Sequence, residues 1–160
     1  MSAIRRLTAC IILILAGGGC GDESSGPAPE TFTATFTSGD VTTGEGRCPD
    51  QTVFINGPGT STPGGSLTTE LSHCTSSQNP LPFTDGAFIF TYSGGDEVSG
   101  TYSGALIPTA DLTVFDVDGE FTITDGTGAF ADATGSGSIT GSLDIASGDA
   151  SITLDGTLER

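Results

Sequence analysis

The reactive side chains of this 160-residue chain are few: one histidine, two tyrosines and four cysteines, set among twenty carboxylates. Over residues 66–75, His73 falls in phase with Leu67 and Leu71, so alternation turns it toward the same face as the leucines. A lone imidazole in a cavity could act as a general acid or base. No serine or cysteine nucleophile motif accompanies it, so the first reading is a strand-end histidine packed beside a disulfide. Tyr92 and Tyr102 lie on neighbouring candidate strands and are read first as strand-pair packing. In the alternative they rim a ligand pocket with His73, and Glu70, Asp96 or Glu97 supplies a carboxylate. An inward acid of that kind would have a raised pKa.

Metal chemistry is poorly served. One histidine and two bridged cysteines cannot complete a zinc site of the usual kind. Asp116-Val117-Asp118-Gly119 matches positions three to six of an EF-hand loop, but Val114 would stand at position one and Asp125 at position twelve, where a bidentate Glu is needed. Asp132, Asp144, Asp149 and Asp155 read as solvated turn residues. Neither a metal nor a cofactor is expected, and a calcium-dependent adhesive module stays only as a third functional alternative. No P-loop, dinucleotide fingerprint or nucleophile elbow is present.

The elements that must carry these residues are set by composition. Formal net charge is −16, from four basic against twenty acidic residues. Such a surface repels nucleic-acid backbones, and nucleic acid is excluded as a partner. Glycine is abundant at 25 residues, yet 35% of the chain is hydrophobic with nine Phe, which argues for a folded β-rich domain rather than disorder.

Residues 1–19 have the form of an export signal: Arg5 and Arg6, an apolar run over 7–16, then Gly17-Gly18-Gly19. The apolar run is about half the length that crosses a bilayer as a helix. Cys20, directly after small residues, resembles the lipobox cysteine of bacterial lipoproteins, which is acylated and becomes the mature terminus. Gly17 stands where a Leu-like residue is usual. The alternative is ordinary cleavage near Gly19, giving a soluble secreted protein with an incidental thiol. Residues 20–30 then form a lipidated Cys and flexible tether, and the domain proper runs over 31–160. Loss of Arg5 and Arg6 leaves two arginines against twenty acids, 2 − 20 = −18. The expected location is the bacterial cell envelope, with the membrane as a partner through the lipid anchor.

From residue 31 onward the period is two. Residues 31–37 alternate strictly, with Phe32, Ala34 and Phe36 on one face and four Thr on the other. Further strands are expected over 51–56, 66–75, 86–93, 97–107, 112–124, 135–145 and 150–158, with breaks at Pro58-Gly59, Pro63-Gly64-Gly65, Gly94-Gly95-Asp96 and Asp125-Gly126. About eight antiparallel strands can close into a barrel, removing both unpaired edges; a two-sheet sandwich shows the same alternation. Phe32, Phe36, Phe54, Phe88, Phe90, Phe115, Phe121 and Phe130 are expected to fill the interior. With Cys10 in the signal and Cys20 acylated, Cys48 and Cys74 remain as a disulfide pair. The bridge would close a loop of about 27 residues and contribute about 3.5 kcal/mol.

The stretch from Asp125 through Gly126, Thr127, Gly128, Ala129 and Phe130 to Gly135 resembles the GGTGxFxxAxG signature of dirigent and allene oxide cyclase-like barrels, including bacterial secreted relatives. Upstream, Gly94-Gly95-Asp96-Glu97-Val98 followed by Gly100-Thr101-Tyr102-Ser103-Gly104 is similar to their GD-containing strand pair. The resemblance spans about residue 86 to the end and departs at Asp125, where the signature has Gly. It implies an eight-stranded antiparallel barrel, often a homo-oligomer through its outer face, with Phe130 folding back as a plug. Plant members guide or carry out cyclisation and radical coupling in the barrel cavity. No match to their catalytic side chains is found, so no catalytic residue is assigned. The leading expectation is a non-catalytic envelope protein that binds a small molecule or a protein partner; the alternative is a cyclase- or isomerase-like enzyme with a small-ligand cavity.

Overall fold

Strict alternation over TFTATFT makes the first strand, β1 (Glu30–Thr37), and buries Phe32, Ala34 and Phe36 on its inner face. The computed structural model describes residues 28–38, 40–44 and 46–160. The export signal, Cys20 and the tether up to residue 27 lie outside the described residues. After β1 come β2 (Asp40–Gly44), β3 (Gln51–Thr62), β4 (Gly65–Thr75), β5 (Leu81–Tyr92), β6 (Glu97–Pro108), β7 (Val114–Gly126), β8 (Thr134–Asp144) and β9 (Ala150–Glu159). A single 3-10 turn, Gly128–Phe130, lies between β7 and β8.

Every strand from β2 to β9 pairs antiparallel with its neighbour in sequence. β1 then pairs on one side with β9, from Glu30↔Leu158 to Thr37↔Ser151, and on the other with β3, from Thr33↔Thr62 to Phe36↔Gly59. β1 and β3–β9 therefore form a closed eight-stranded antiparallel barrel, and the two-sheet sandwich is excluded by the β1–β3 pairing. β2, which the alternation pattern missed, continues the course of β1 along β3, with pairing from Asp40↔Asn56 to Gly44↔Thr52. β3 runs through Pro58-Gly59, read from sequence as a break. These two residues lie where pairing with β2 has ended and pairing with β1 is beginning. A proline is tolerated at such a gap in the ladder. Gly59 is needed there because a Cβ would stand 2.7 Å from the Thr35 carbonyl oxygen.

The two ends of the barrel differ. At the end where β1 begins, Phe32, Phe90, Val98, Phe121, Ile123, Ala133 and Leu158 are almost fully enclosed. Phe32 meets Phe121 at 5.9 Å between ring centroids, and Phe88 meets Phe90 at 4.8 Å and Phe121 at 6.5 Å. Phe130 closes this end, stacked on Tyr92 at 4.6 Å with Arg160 over its ring. Three Phe assignments change. Phe54 faces outward and is 38% exposed, Phe115 is half-buried and outside the core, and Phe83, outside any expected strand, is buried. For Phe83 the cause is a bulge: β5 shifts register between Phe83 and Gly86, with Asp85 at a φ of 51°. That irregularity brings Phe83 and Phe88 to the same face although they are an odd number of residues apart.

Cys48 and Cys74 are bridged, tying the segment between β2 and β3 to the end of β4. Thr52, opposite Cys74 in the ladder, is buried near this segment, in contact range of a Cβ placed at Gly46.

If the aromatic cluster is the main source of stability, Phe121→Ala should lower the free energy of urea unfolding by about 3–5 kcal/mol. Leu112→Ala, at an 88% exposed turn residue, should change it by less than about 0.5 kcal/mol. Equal effects would show that the core is not organised around the rings.

Candidate functional site

Away from the Phe130 plug the interior is not filled. A cavity of about 240 Å³ occupies the half of the barrel where β4 ends and β5 and β9 begin. Its walls are apolar: Phe36 and Phe88 below, Leu71, Val117, Ile139, Leu143, Ile152 and Leu154 around, and Val53 and Ile55 from β3. Val41 of β2 is 42% exposed and contributes to the lining from the added strand. Apart from Phe83, the inward positions of these strand ends carry mostly Val, Ile and Leu.

Besides Thr43 near the β2 rim and Thr75, one polar pair interrupts the hydrocarbon. His73 and Tyr102 both line the cavity, and the His73 Nδ1 lies 2.7 Å from the Tyr102 hydroxyl. The imidazole is held between rings, 5.5 Å from Phe83 and edge-on to Tyr102 at 5.7 Å. Its strand continues into the bridged Cys74, and β4 shifts register between Ser72 and Cys74. Thr75 also lines the cavity, but its hydroxyl donates to the Pro82 carbonyl at 3.1 Å. No carboxylate and no cationic side chain is among the lining residues.

Electrostatics keep the pair neutral. Burial, and secondarily the Arg47 charge, lower the His73 pKa to about 4. Burial raises the Tyr102 pKa above the ordinary phenol value, against an opposing effect of Arg47. Arg47 sits beside the disulfide and is fully engaged. Its Nε is 2.6 Å from the Asp85 carboxylate, one terminal nitrogen donates to the Ser72 hydroxyl at 3.1 Å, and the other donates to the Asp85 carbonyl. Arg47 was not picked out in the sequence. The adjacent Cys48 is the signal that could have marked it, since a bridge at Cys74 necessarily carries Arg47 toward His73.

The other sequence candidates are distributed elsewhere. Glu70 is exposed, opposite Asn56 and Ile89 on the outer face, because it is out of phase with the buried Leu67, Thr69 and Leu71. Tyr92 belongs to the closed end, where its hydroxyl lies 2.9 Å from the Ser61 hydroxyl. Neither reaches the cavity, so of the four pocket candidates only His73 and Tyr102 meet. Asp96 ends the turn before β6 and Glu97 opens that strand. The Asp96 carboxylate accepts from the Ala129 N–H at 3.2 Å, and the Thr127 hydroxyl accepts from the Glu97 N–H at 2.9 Å. The two segments quoted for the resemblance thus dock on each other. Gly128 has a φ of 59°, and a Cβ there would collide with the Asp96 carboxylate at 1.9 Å. Asp125 is exposed and accepts from the Gly126 N–H at 2.8 Å. Gly135 lets β8 approach the Thr157 carbonyl of β9. These positions build the plug and lie at the opposite end from the cavity. Among the described residues, no group of three or more His, Cys, Asp or Glu comes together to hold a metal.

No family model matches the chain, and no curated protein matches it. Solved structures do. The pterocarpan synthase dirigent protein PsPTS1 superposes with a TM-score of 0.61 at 17% identity, covering 85% of this chain and 97% of that one. The pterocarpan synthase dirigent protein GePTS1 gives 0.53 at 18% identity, covering 81% and 88%. The fold is that of the dirigent barrel. At this identity the dirigent likeness concerns backbone architecture, and the chemistry of the cavity has to be argued from the residues present.

His73 is the single histidine of the chain, so its ring resonances can be followed in NMR without assignment. A folded pKa near 4 against 6.5 in the unfolded chain means that the unfolded state takes up a proton first as pH falls. Stability should therefore be lost from about pH 6.5 downward, until the folded form also protonates near 4. The expected titration midpoint is near 4 in the native protein and near 6.5 in urea. A native midpoint at 6 or above would show an open, solvated imidazole.

Proposed function

We propose that this protein binds a small, uncharged, mainly apolar molecule in the open half of its barrel and performs no chemistry on it. The observation that carries the reading is the apolar cavity of about 240 Å³ whose inner polar pair, His73 and Tyr102, is neutral. Its size lies between the roughly 150 Å³ void that admits benzene and the roughly 300–1,000 Å³ of sites for drug-sized molecules. An unfilled apolar void forgoes dispersion contacts that a fitting guest restores. Catalysis is less well supported. A proton-transfer role needs a group poised near neutral pH, whereas burial makes His73 a weak base and Tyr102 a weaker acid than usual. The cyclase-like alternative draws its support from the same pair facing the cavity.

The reading extends to location. A lipid on Cys20 would hold the domain at the cell envelope, and the Cys48–Cys74 bridge supports an oxidising compartment. β1 starts at the plugged end, so a tether leading into Glu30 would join the barrel at the end opposite the cavity mouth.

Naphthalene is a suitable first probe. At a concentration ten times its Kd it should raise Tm by about 4–7 °C and shift the methyl resonances of Leu71, Ile139 and Leu154. Unchanged Tm and unmoved methyls would refute the pocket. For the anchor, mass spectrometry of membrane-extracted protein should find acyl chains on Cys20; an unmodified, freely soluble chain would refute it.

A further inference from the structure

We infer that the cavity selects molecules carrying one neutral hydrogen-bond acceptor, a ketone, aldehyde or ether oxygen on a hydrocarbon frame, and that the selecting group is the Nε2–H of His73. The inference rests on the pocket reading above and assigns its ligand a chemical class. A phenol O–H is a better donor than an imidazole N–H, and an imidazole nitrogen a better acceptor than a phenol oxygen. Across the 2.7 Å contact the Tyr102 hydroxyl therefore donates to the His73 Nδ1. A neutral imidazole has one ring proton, so that proton must sit on Nε2. Burial keeps the ring in this neutral form at physiological pH.

Nε2 has no hydrogen-bond partner among the described residues, and it is not one of their sealed-in polar atoms, the orphan there being the Thr52 hydroxyl. It is thus an accessible donor on a ring that lines the cavity and is fixed by Phe83 and Tyr102. The Thr75 hydroxyl is spent on the Pro82 carbonyl. A carboxylate ligand would find no cation in the wall, because Arg47 is occupied by Asp85 and Ser72. Burying an unpaired charge there is strongly unfavourable. A pure hydrocarbon is admitted but leaves the Nε2–H unmatched.

The test uses an isosteric pair on the full chain, 2-acetonaphthone and 2-isopropenylnaphthalene, which differ in C=O against C=CH₂. Kd values are measured by methyl NMR titration for the wild type and for His73→Phe. The ketone-to-alkene affinity ratio should fall about tenfold in His73→Phe, and taking the ratio cancels differences in hydrophobicity and in packing. Binding of both probes with an unchanged ratio overturns the inference while leaving the pocket standing. Binding of neither to the wild type overturns both. A second measurement needs no variant: nitrogen NMR of His73 in the wild type should show a bare Nδ1 and a protonated Nε2, with Nε2–H shifting on addition of the ketone and not of the alkene. A proton on Nδ1 in the ketone complex would sink the assignment.

Discussion

Closure of the sheet through β1 is the constraint on which the rest depends. This strand is hydrogen-bonded on both sides, to β9 along its whole length and to β3 over Thr33 to Phe36. With both edges consumed, side chains pointing inward from every strand converge on one axis and must share its volume. Along the half where β1 runs, Phe32, Phe90 and Phe121 fill that volume. Beyond Thr37 the chain continues as β2, which stays with β3 but has no register with β9. The cavity lies in that half. A looser ring and mostly smaller inward residues (Val, Ile and Leu, with Phe83 the exception) act together there, so the void follows from how the strands are shared out as much as from which residues line it.

Much of this was visible in the sequence wherever period two was unbroken. The inward face of β1, the inward turn of His73 behind Leu67 and Leu71, and the Cys48–Cys74 pair could be read directly. What escaped reading was broken by local backbone events. The bulge at Asp85 hid Phe83, because a residue in the left-handed region resets the alternation and one setting of phase cannot place both Phe83 and Phe88 inside. Phe54 was assigned inward by residue type although its neighbours Val53 and Ile55 are the ones that line the cavity. Barrel against sandwich was undecidable for a different reason. The deciding contact, Phe36↔Gly59 and its neighbours, joins segments whose individual patterns are the same in either architecture.

Apart from Tyr102, which lines the cavity, the residues that carried the family resemblance turn out to be architecture. Asp96, Glu97, Thr127 and Ala129 lock the β5–β6 turn to the segment after β7, and Phe130 is pressed between Tyr92 and Arg160. All of this is at the sealed end. The likeness to dirigent barrels at 17% identity is one of backbone architecture.

Charge distribution narrows what the mouth can admit. The chain carries −16 overall, yet no acid is among the described residues that line the cavity. The outer field raises the energy of any approaching anion. A cation is drawn to the surface but would lose its hydration on entering a wall without a carboxylate, and the desolvation cost exceeds what a neutral imidazole can return. Uncharged molecules escape both penalties. For them the remaining discrimination falls to the fixed dipole at His73, whose orientation is set by the Tyr102 hydroxyl and whose strand is anchored by the disulfide one residue away. A single polar contact can govern selection here because, two threonines apart, the wall around it is apolar: in a low-dielectric wall, one matched or unmatched donor counts for more than it would at a wet surface.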